Sequence, residues 1–277
     1  MLLGLDILST AALLFIVALG LLAIFGVLKI INFAHGAWLT VGAYCAVLTA
    51  KLGLNPWAAA PIAFVVGLVL GGFAEFVIIR PLYRRPLDAI LATWGLGIVV
   101  GQLITLAFGR DVQFAPSLLA GTIHVGGVEY SAYRLFAIAA AVIVGAIYAL
   151  AFEATRLGLL ARAVIMNETL ARGLGVDTAR VRLATFMIGT GLAAVAGVLL
   201  TPLTSIDPNM GVGWMIGAFM LAMVSGASWL ALAGASLAFG AVQVLVSAYV
   251  SPVLGGVAVA VLAALVLRLR PQGFARA

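Results

Sequence analysis

Charge is what this sequence has least of. Of its 277 residues only 9% are Asp, Glu, Lys or Arg, while 65% are hydrophobic; a soluble globular domain runs near a quarter charged. That excludes a water-soluble fold and places the chain in lipid. Cysteine is nearly absent too: Cys45 stands alone, so no intrachain disulfide can form, and it reads as a small buried apolar residue. Lysine occurs only at Lys29 and Lys51, and neither sits in a Gly-x-x-x-x-Gly-Lys-Ser/Thr loop, which excludes a Walker A nucleotide site. His35 and His124 are the only histidines, and His-Glu-x-x-His and Gly-x-Ser-x-Gly are both missing. Neither a metalloprotease nor a serine hydrolase has a framework here. The residues thus offer no catalytic group, cofactor site or metal site. The net charge of +6 sits in short arginine clusters between long apolar runs. That is the pattern of a membrane orientation signal rather than of nucleic-acid binding.

What is present is a series of apolar runs long enough to cross a bilayer, which takes about 20 residues each. Ile7–Leu28, Ile30–Ala50, Leu52–Ala74, Ala89–Gly109, Leu135–Phe152 and Leu183–Ile206 each hold one span. Between Asp207 and Arg268 no charge occurs, enough for three tightly connected helices of near-minimal length, broken at Ser225-Gly226-Ala227-Ser228 and Ser251-Pro252. Met1–Asp6 lacks the positive n-region of a cleaved signal peptide, so the first run is expected to remain as a helix. Three basic clusters fix orientation: Arg80/Arg84/Arg85, Arg156/Arg162/Arg172/Arg180/Arg182, and Arg268/Arg270/Arg276. With all three in the cytoplasm, the count is about nine spans, N-terminus outside and C-terminus inside. Lys51 is the one discordant charge, and Arg110–Arg134 becomes an external loop. The fold class is therefore an all-α integral membrane protein of one domain.

The two halves resemble each other. Gly20-Leu21-Leu22-Ala23-Ile24-Phe25-Gly26-Val27-Leu28 aligns without a gap on Gly191-Leu192-Ala193-Ala194-Val195-Ala196-Gly197-Val198-Leu199. Downstream, Ile31, Gly36, Gly42, Ala43 and Tyr44 align with Ile206, Gly211, Gly217, Ala218 and Phe219. Under the charge-derived orientation the copies run oppositely, giving an inverted repeat of 4+1+4: residues 1–109, a linking span 135–153, a cytoplasmic loop 154–182, and residues 183–268. Inverted repeats build a substrate path between similar halves in transporters. Chance matching of apolar strings is the competing explanation.

Polar residues inside this apolar frame are the candidates for function. Asn32-Phe33-Ala34-His35-Gly36 interrupts the start of a helix, and its repeat partner Asp207-Pro208-Asn209-Met210-Gly211 has the same mix. Both read as interrupted helix starts whose free N–H groups could face a substrate; a histidine that only bonds a neighbouring helix is the alternative for His35. Asn32, His35, Gly36, Thr93, Trp94, Asn209 and Gly211 form the candidate substrate path, with an interfacial anchor as the alternative for Trp94. Glu75, Gln102 and Gln243 are explained by interhelical hydrogen bonding, and Gly67, Gly71, Gly72, Gly95, Gly97 and Gly101 are packing residues first.

The longest polar stretch is Arg156–Arg182. Asn167 is a good N-cap, Glu168 suits a first turn, and Gly173 or Gly175 can stop a short helix. Asp177 can cap the span that follows. Such a cytoplasmic helix, with apolar Leu170 and Ala171, could plug into a groove on another protein or lie on lipid headgroups.

These motifs resemble the hydrophobic amino acid uptake class of ABC permeases, which includes the branched-chain amino acid and urea permeases. Asn32-Phe33-Ala34-His35-Gly36 is similar to its hallmark after the first span. Arg80-Pro81-Leu82 and Arg85-Pro86-Leu87 resemble its first cytoplasmic loop, and Arg156-Leu157-Gly158 through Arg180-Val181 resembles its coupling loop. Leu91-Ala92-Thr93-Trp94-Gly95 and Ser251-Pro252-Val253-Leu254-Gly255-Gly256 look like urea-type members. Val224-Ser225-Gly226-Ala227-Ser228 departs from the Gly-Gly-x-Gly turn common among relatives. The resemblance implies a multi-pass permease of the bacterial inner membrane, in contact with lipid. Its substrate would be branched-chain or other small amino acids, urea or short amides. Its partners would be two cytoplasmic ATPase subunits, a sister permease and a periplasmic binding protein, with ATP used by the partners and no cofactor on this chain. Asn167, Glu168, Leu170, Ala171, Arg172, Gly173 and Gly175 would form the ATPase coupling helix. A stand-alone secondary carrier or channel is the alternative, resting on the repeat and on Glu75 as its only intramembrane acid; an intramembrane enzyme using His35 is a third.

Overall fold

The computed structural model describes residues 2–270, so Arg276 of the third basic cluster lies outside the described residues. The chain is a bundle of helices: α1 (Leu2–Leu28), α2 (His35–Lys51), α3 (Ala59–Ala74), α4 (Pro86–Phe108), α5 (Ala132–Ala154), α6 (Arg156–Gly173), α7 (Thr178–Leu200), α8 (Met210–Ser225), α9 (Trp229–Tyr249) and α10 (Pro252–Leu269). Between α4 and α5 a hairpin, β1 (Thr122–Val125) and β2 (Val128–Ser131), pairs antiparallel in the stretch expected to be only a loop.

Among the described residues, seven helices are long and apolar enough to cross a membrane, the α3 run being extended to Pro56–Leu82 by a 3₁₀ turn before it and a π turn and a 3₁₀ turn after it. The expected span over Ile30–Ala50 is the 17-residue α2, and α8 has 16 residues, both short of the roughly 20 that a full crossing takes. The polar breaks that precede them remove the first turns. In front of α2, Lys29 takes a left-handed φ of 54° that ends α1, and the Asn32 side chain accepts the Ala34 N–H at 3.0 Å. The three helices expected after Asp207 are α8, α9 and α10. Their joints fall at the anticipated residues: Gly226 turns the chain at φ 62°, and Ser228 and Ser251 cap α9 and α10 by accepting the Ala231 and Leu254 N–H groups. The segment expected as a loop over residues 154–182 is mostly helical, because α6 opens at once on the Thr155 cap and α7 starts at Thr178 on the Asp177 cap.

Three helices carry the interior: α1, α7 and the shorter α2, most of whose residues are buried. The most apolar window of α1 is 89% buried and that of α7 67%, whereas those of α4, α5 and α10 are 22%, 22% and 17% buried. The outer helices therefore leave most of their apolar surface uncovered by the rest of this chain. Because lipid tails are as apolar as Leu, helices in a membrane are held by close packing at small residues and by hydrogen bonds rather than by hydrophobic burial against one another. The packing here fits that rule. α1 meets α7 where the Gly20 and Gly189 backbones touch: a Cβ on Gly189 would stand 2.6 Å from the Gly20 carbonyl oxygen. α2 meets α8 at Gly36 and Gly211, where a Cβ on Gly36 would lie 2.6 Å from the Gly211 carbonyl oxygen. Thr40 stitches this second contact. Its hydroxyl donates to the Gly36 carbonyl at 3.1 Å and accepts the Gly211 N–H at 3.2 Å. The other pairings run in parallel: α3 packs on α7 as α9 packs on α1, and α4 lies on α2 as α10 lies on α8.

Two substitutions test this centre. Gly211→Val should be destabilising by about 1–3 kcal/mol or more through overpacking, while Gly95→Ala, where a Cβ meets open space, should leave stability unchanged. Thr40→Val should cost about 1–2 kcal/mol by stranding the Gly211 N–H, and Thr40→Ser should recover most of it. Thermal unfolding of the detergent-solubilised protein reads both pairs.

Candidate functional site

Both interrupted helix starts lie against one face of α4. Thr93, Gly97 and Gly101 repeat every four residues and so share that face. The Thr93 hydroxyl accepts the Phe33 N–H at 3.1 Å and donates to the Ile90 carbonyl at 2.8 Å. A turn further along, Gly97 faces the Phe33 carbonyl and the Ala34 backbone, each 3.6 Å from where its Cβ would be. Gly101 faces the Asn209 side-chain oxygen at 3.4 Å on the same measure. Thus Asn32, Gly36, Thr93, Asn209 and Gly211 do come together around the α2–α8 contact, although three separate stretches of chain supply them. Opposite, Gln113 and Ile206 exchange backbone hydrogen bonds of 2.8 and 3.3 Å and tie the loop after α4 to the second break.

Two members of the expected path sit elsewhere. Trp94 is 59% exposed on the outer side of α4, one residue round from the inward Thr93, so it faces away from the breaks. His35 is fully buried, and its Nε2 lies 2.9 Å from the Val17 carbonyl of α1. The ring packs beside Gly20, its Cε1 standing 3.3 Å from where a Cβ there would be. The histidine therefore joins α2 to α1 as an interhelical hydrogen-bonding residue. The Asn32 Nδ2 and His35 Nδ1 are buried without a hydrogen-bond partner among the described residues. Thr40, which links the two breaks directly, was not singled out by the sequence, since a threonine within an apolar helix carries no signal until its neighbour is known.

The polar stretch forms a second constellation. α6 bends at Asn167, whose φ of −157° and ψ of 99° are extended, and the Asn167 side chain caps the segment beyond by accepting the Leu170 N–H at 3.0 Å. That segment, Glu168–Gly173, closes on Gly175 at φ 87°, with the Val176 N–H bonded to the Ala171 carbonyl at 3.0 Å. The cap, the acidic first turn and the glycine stop all stand where the sequence puts them. Its faces are sorted differently from the expectation. Leu170 is 60% and Leu174 77% exposed, whereas Ala171 is 3% exposed and packs into the interior, since it lies about 100° further round the turn. Arg172 is turned back toward the protein, its Nη2 donating to the Glu168 Oε1 at 2.7 Å and the Thr178 hydroxyl at 3.3 Å.

Between this segment and the end of the α3 run lies a polar cleft of about 480 Å³, with Arg80, Tyr83, Arg84, Glu168, Arg172 and Arg182 among its lining residues. Glu75, in a π-helical turn over Glu75–Ile79, is fully buried and accepts a hydrogen bond from the Tyr83 hydroxyl. Burial, and the Glu75 carboxylate beside it, hold the Tyr83 phenol well above its ordinary range, so it stays a donor. Of the three intramembrane polar residues noted in the sequence, Glu75 is engaged in this way; Gln102 lies on the exposed side of α4.

Comparison with known proteins gives the family. The family described as branched-chain amino acid transport system / permease component matches residues 3–269. The chain is 30% identical over 290 residues to the high-affinity branched-chain amino acid transport system permease protein LivH of Salmonella typhimurium, covering 98% of this chain and 92% of that one. It is likewise 30% identical over 242 residues to the corresponding permease protein BraD of Pseudomonas aeruginosa, covering 80% and 77%. Among solved structures, PsaBC from Streptococcus pneumoniae in complex with Fab superposes with a TM-score of 0.50 at 15% identity, over 96% of this chain and 91% of that one, a likeness of fold alone. With 98% of its length aligned to one such relative and seven helices able to cross a membrane, the chain belongs to the branched-chain amino acid permease family of ABC transporters and is a multi-pass protein of the inner membrane.

Proposed function

We propose that this chain is one of two permease subunits of an ABC importer that carries branched-chain amino acids into the cytoplasm. The energy comes from ATP hydrolysed by two cytoplasmic ATPase subunits, and a periplasmic binding protein delivers the substrate. The relatives reported above are named for branched-chain amino acid transport rather than urea, which favours that substrate class over urea and short amides. Ahead of the rest, the capped segment Glu168–Gly173 carries the reading: it is set between an extended and a left-handed hinge, rests on the bundle through Ala171, and offers Leu170 outward, with Leu174 just beyond it. That is the form of a helix that plugs into a groove on a partner. With all three basic clusters cytoplasmic, this segment lies on the ATPase side.

The inverted repeat of 4+1+4 supplies the path, over residues 1–109 and 183–268 with the linking span 135–153 between them. In this reading α2 and α8 count as short spans, giving nine, with the N-terminus outside and the C-terminus inside. Its support is that helices equivalent under the repeat touch each other, α1 on α7 and α2 on α8, and that Gly36 and Gly211, aligned in the sequence, meet in the fold. A residue beside a two-fold axis contacts its own counterpart. Substrate would pass beside that axis, along Asn32, Gly36, Thr93, Asn209 and Gly211, as the halves rock. The carrier reading has less behind it, because its one intramembrane acid, Glu75, is engaged by Tyr83.

Tagged chain purified in mild detergent from its native host should bring an ATPase, a second permease and a binding protein with it; purification only with itself would favour the carrier. Leu170→Glu should lower the co-purified ATPase about tenfold, equivalent to about 1.4 kcal/mol of interface energy. Membrane insertion should be unaffected, and quantitative mass spectrometry of the eluate reads the difference.

A further inference from the structure

The polar cleft holds a connected series of side chains that docking alone does not require. It begins in the interior at Glu75, which accepts from the Tyr83 hydroxyl. Over the Tyr83 ring stands the Arg182 guanidinium of α7, 4.3 Å from the ring centre. Arg182 donates to Glu168 Oε2, and Glu168 Oε1 accepts from Arg172 at 2.7 Å. The last link, Arg172 to the Thr178 hydroxyl, returns to the first turn of α7 at 3.3 Å. Glu168 is thus held by two arginines at once, one from its own helix and one from α7. The side chains of Glu168 and Arg182 are 28% and 15% exposed, so solvent screens their pair far less than an open surface bridge.

The two ends of the segment explain why such a brace is needed. Asn167 is extended and Gly175 left-handed, so neither end continues into a helix that would fix the orientation of Glu168–Gly173. Ala171, buried in the core, anchors one side of the segment, and a force applied at Leu170 would turn it about that single anchor unless a second link held it. Locked to α7 by Glu168 and Arg182, it instead moves with α7, and through Tyr83 and Glu75 with the π-helical turn of α3. A π turn inserts an extra residue into the helical ladder and is a frequent mark of functional sites. α3 and α7 are in turn packed backbone to backbone: the Thr190 hydroxyl donates to the Gly67 carbonyl at 2.9 Å, and a Cβ on Gly67 would lie 2.7 Å from the Thr190 carbonyl oxygen. The motion would therefore arrive at the α1–α7 contact with little slack.

Resting on the docking reading above, we propose that Glu168, Arg182 and Tyr83 are positioning residues that lock the docking segment to α7 and to the π turn of α3, so that ATPase movement is converted into movement of the spanning helices. Glu168 in this role does not face the ATPase.

The test uses the complete importer in proteoliposomes with its binding protein. Glu168→Gln should lower uptake about tenfold, within the range of allosteric coupling, while the ATPase still co-purifies in full and hydrolyses ATP without stimulation by loaded binding protein. Arg182→Gln, which removes the link from the α7 side, should lower uptake in the same sense with assembly likewise intact. Tyr83→Phe, which keeps the ring under Arg182 and removes only the bond to Glu75, should uncouple in the same sense with assembly intact. Undiminished uptake in Glu168→Gln, or in Arg182→Gln, in an assembled complex would overturn the proposal alone. So would loss of the ATPase from Glu168→Gln, since Glu168 would then be a contact residue. If the unmutated chain purified without an ATPase, the docking reading would fail, and the proposal with it.

Discussion

Glycine-to-backbone contact between pairs of helices is the constraint on which the rest of this structure depends. In lipid, apolar side chains gain nothing by leaving one another's company for acyl tails, so the α1–α7 and α2–α8 pairs must be held by proximity itself. At Gly20 and Gly189, and again at Gly36 and Gly211, the two main chains approach to a distance that a single methyl group would forbid. Those contacts set where α2 and α8 cross, and hence where the two polar breaks come to lie. The Thr40 hydroxyl can bridge the breaks, and α4 can lay Thr93, Gly97 and Gly101 along both, only because that crossing is so close.

A second, electrostatic assembly stands at the arginine-rich end. Glu168, Arg172, Arg182 and Tyr83 come from α6, α7 and the turn after α3, and they meet in one cleft. Glycine contacts transmit displacement from helix to helix, and the ion pairs connect the external segment to that rigid interior. The division of labour is physical: neutral packing is stable where water is absent, and paired charge is tolerated where the helices leave the membrane.

Much of this was legible beforehand, for definite reasons. The joints at Ser225–Ser228 and Ser251-Pro252, the Asn167 cap, the Gly175 stop and the Asp177 cap were all correct because capping chemistry is local: a side chain reaches a backbone group two or three residues away. The family resemblance was carried by contiguous motifs and agrees with the match over residues 3–269. Side-chain direction was harder to read. Trp94 and Ala171 were grouped with their neighbours, yet one faces outward and the other inward, because adjacent helical residues lie about 100° apart and only the packed partners decide which face is which. The short length of α2 was missed as well, since counting apolar residues does not show that a polar break has removed the first turns of a helix.

The sequence by itself determined that the chain lives in lipid, where most of its helices begin and end, and which polar segment is capped as a short helix of its own, since each follows from composition, charge placement or contacts between near neighbours in the chain. Only the tertiary structure decided that Gly36 meets Gly211, that Thr40 joins them, that His35 bonds Val17, and that Glu168 is held by Arg182. Those pairs are separated by between 14 and 175 positions along the chain. In an interior where almost every residue is apolar, hydropathy ranks no partner above another; the choice is made by which backbones can approach closely enough, and that is a property of the folded bundle.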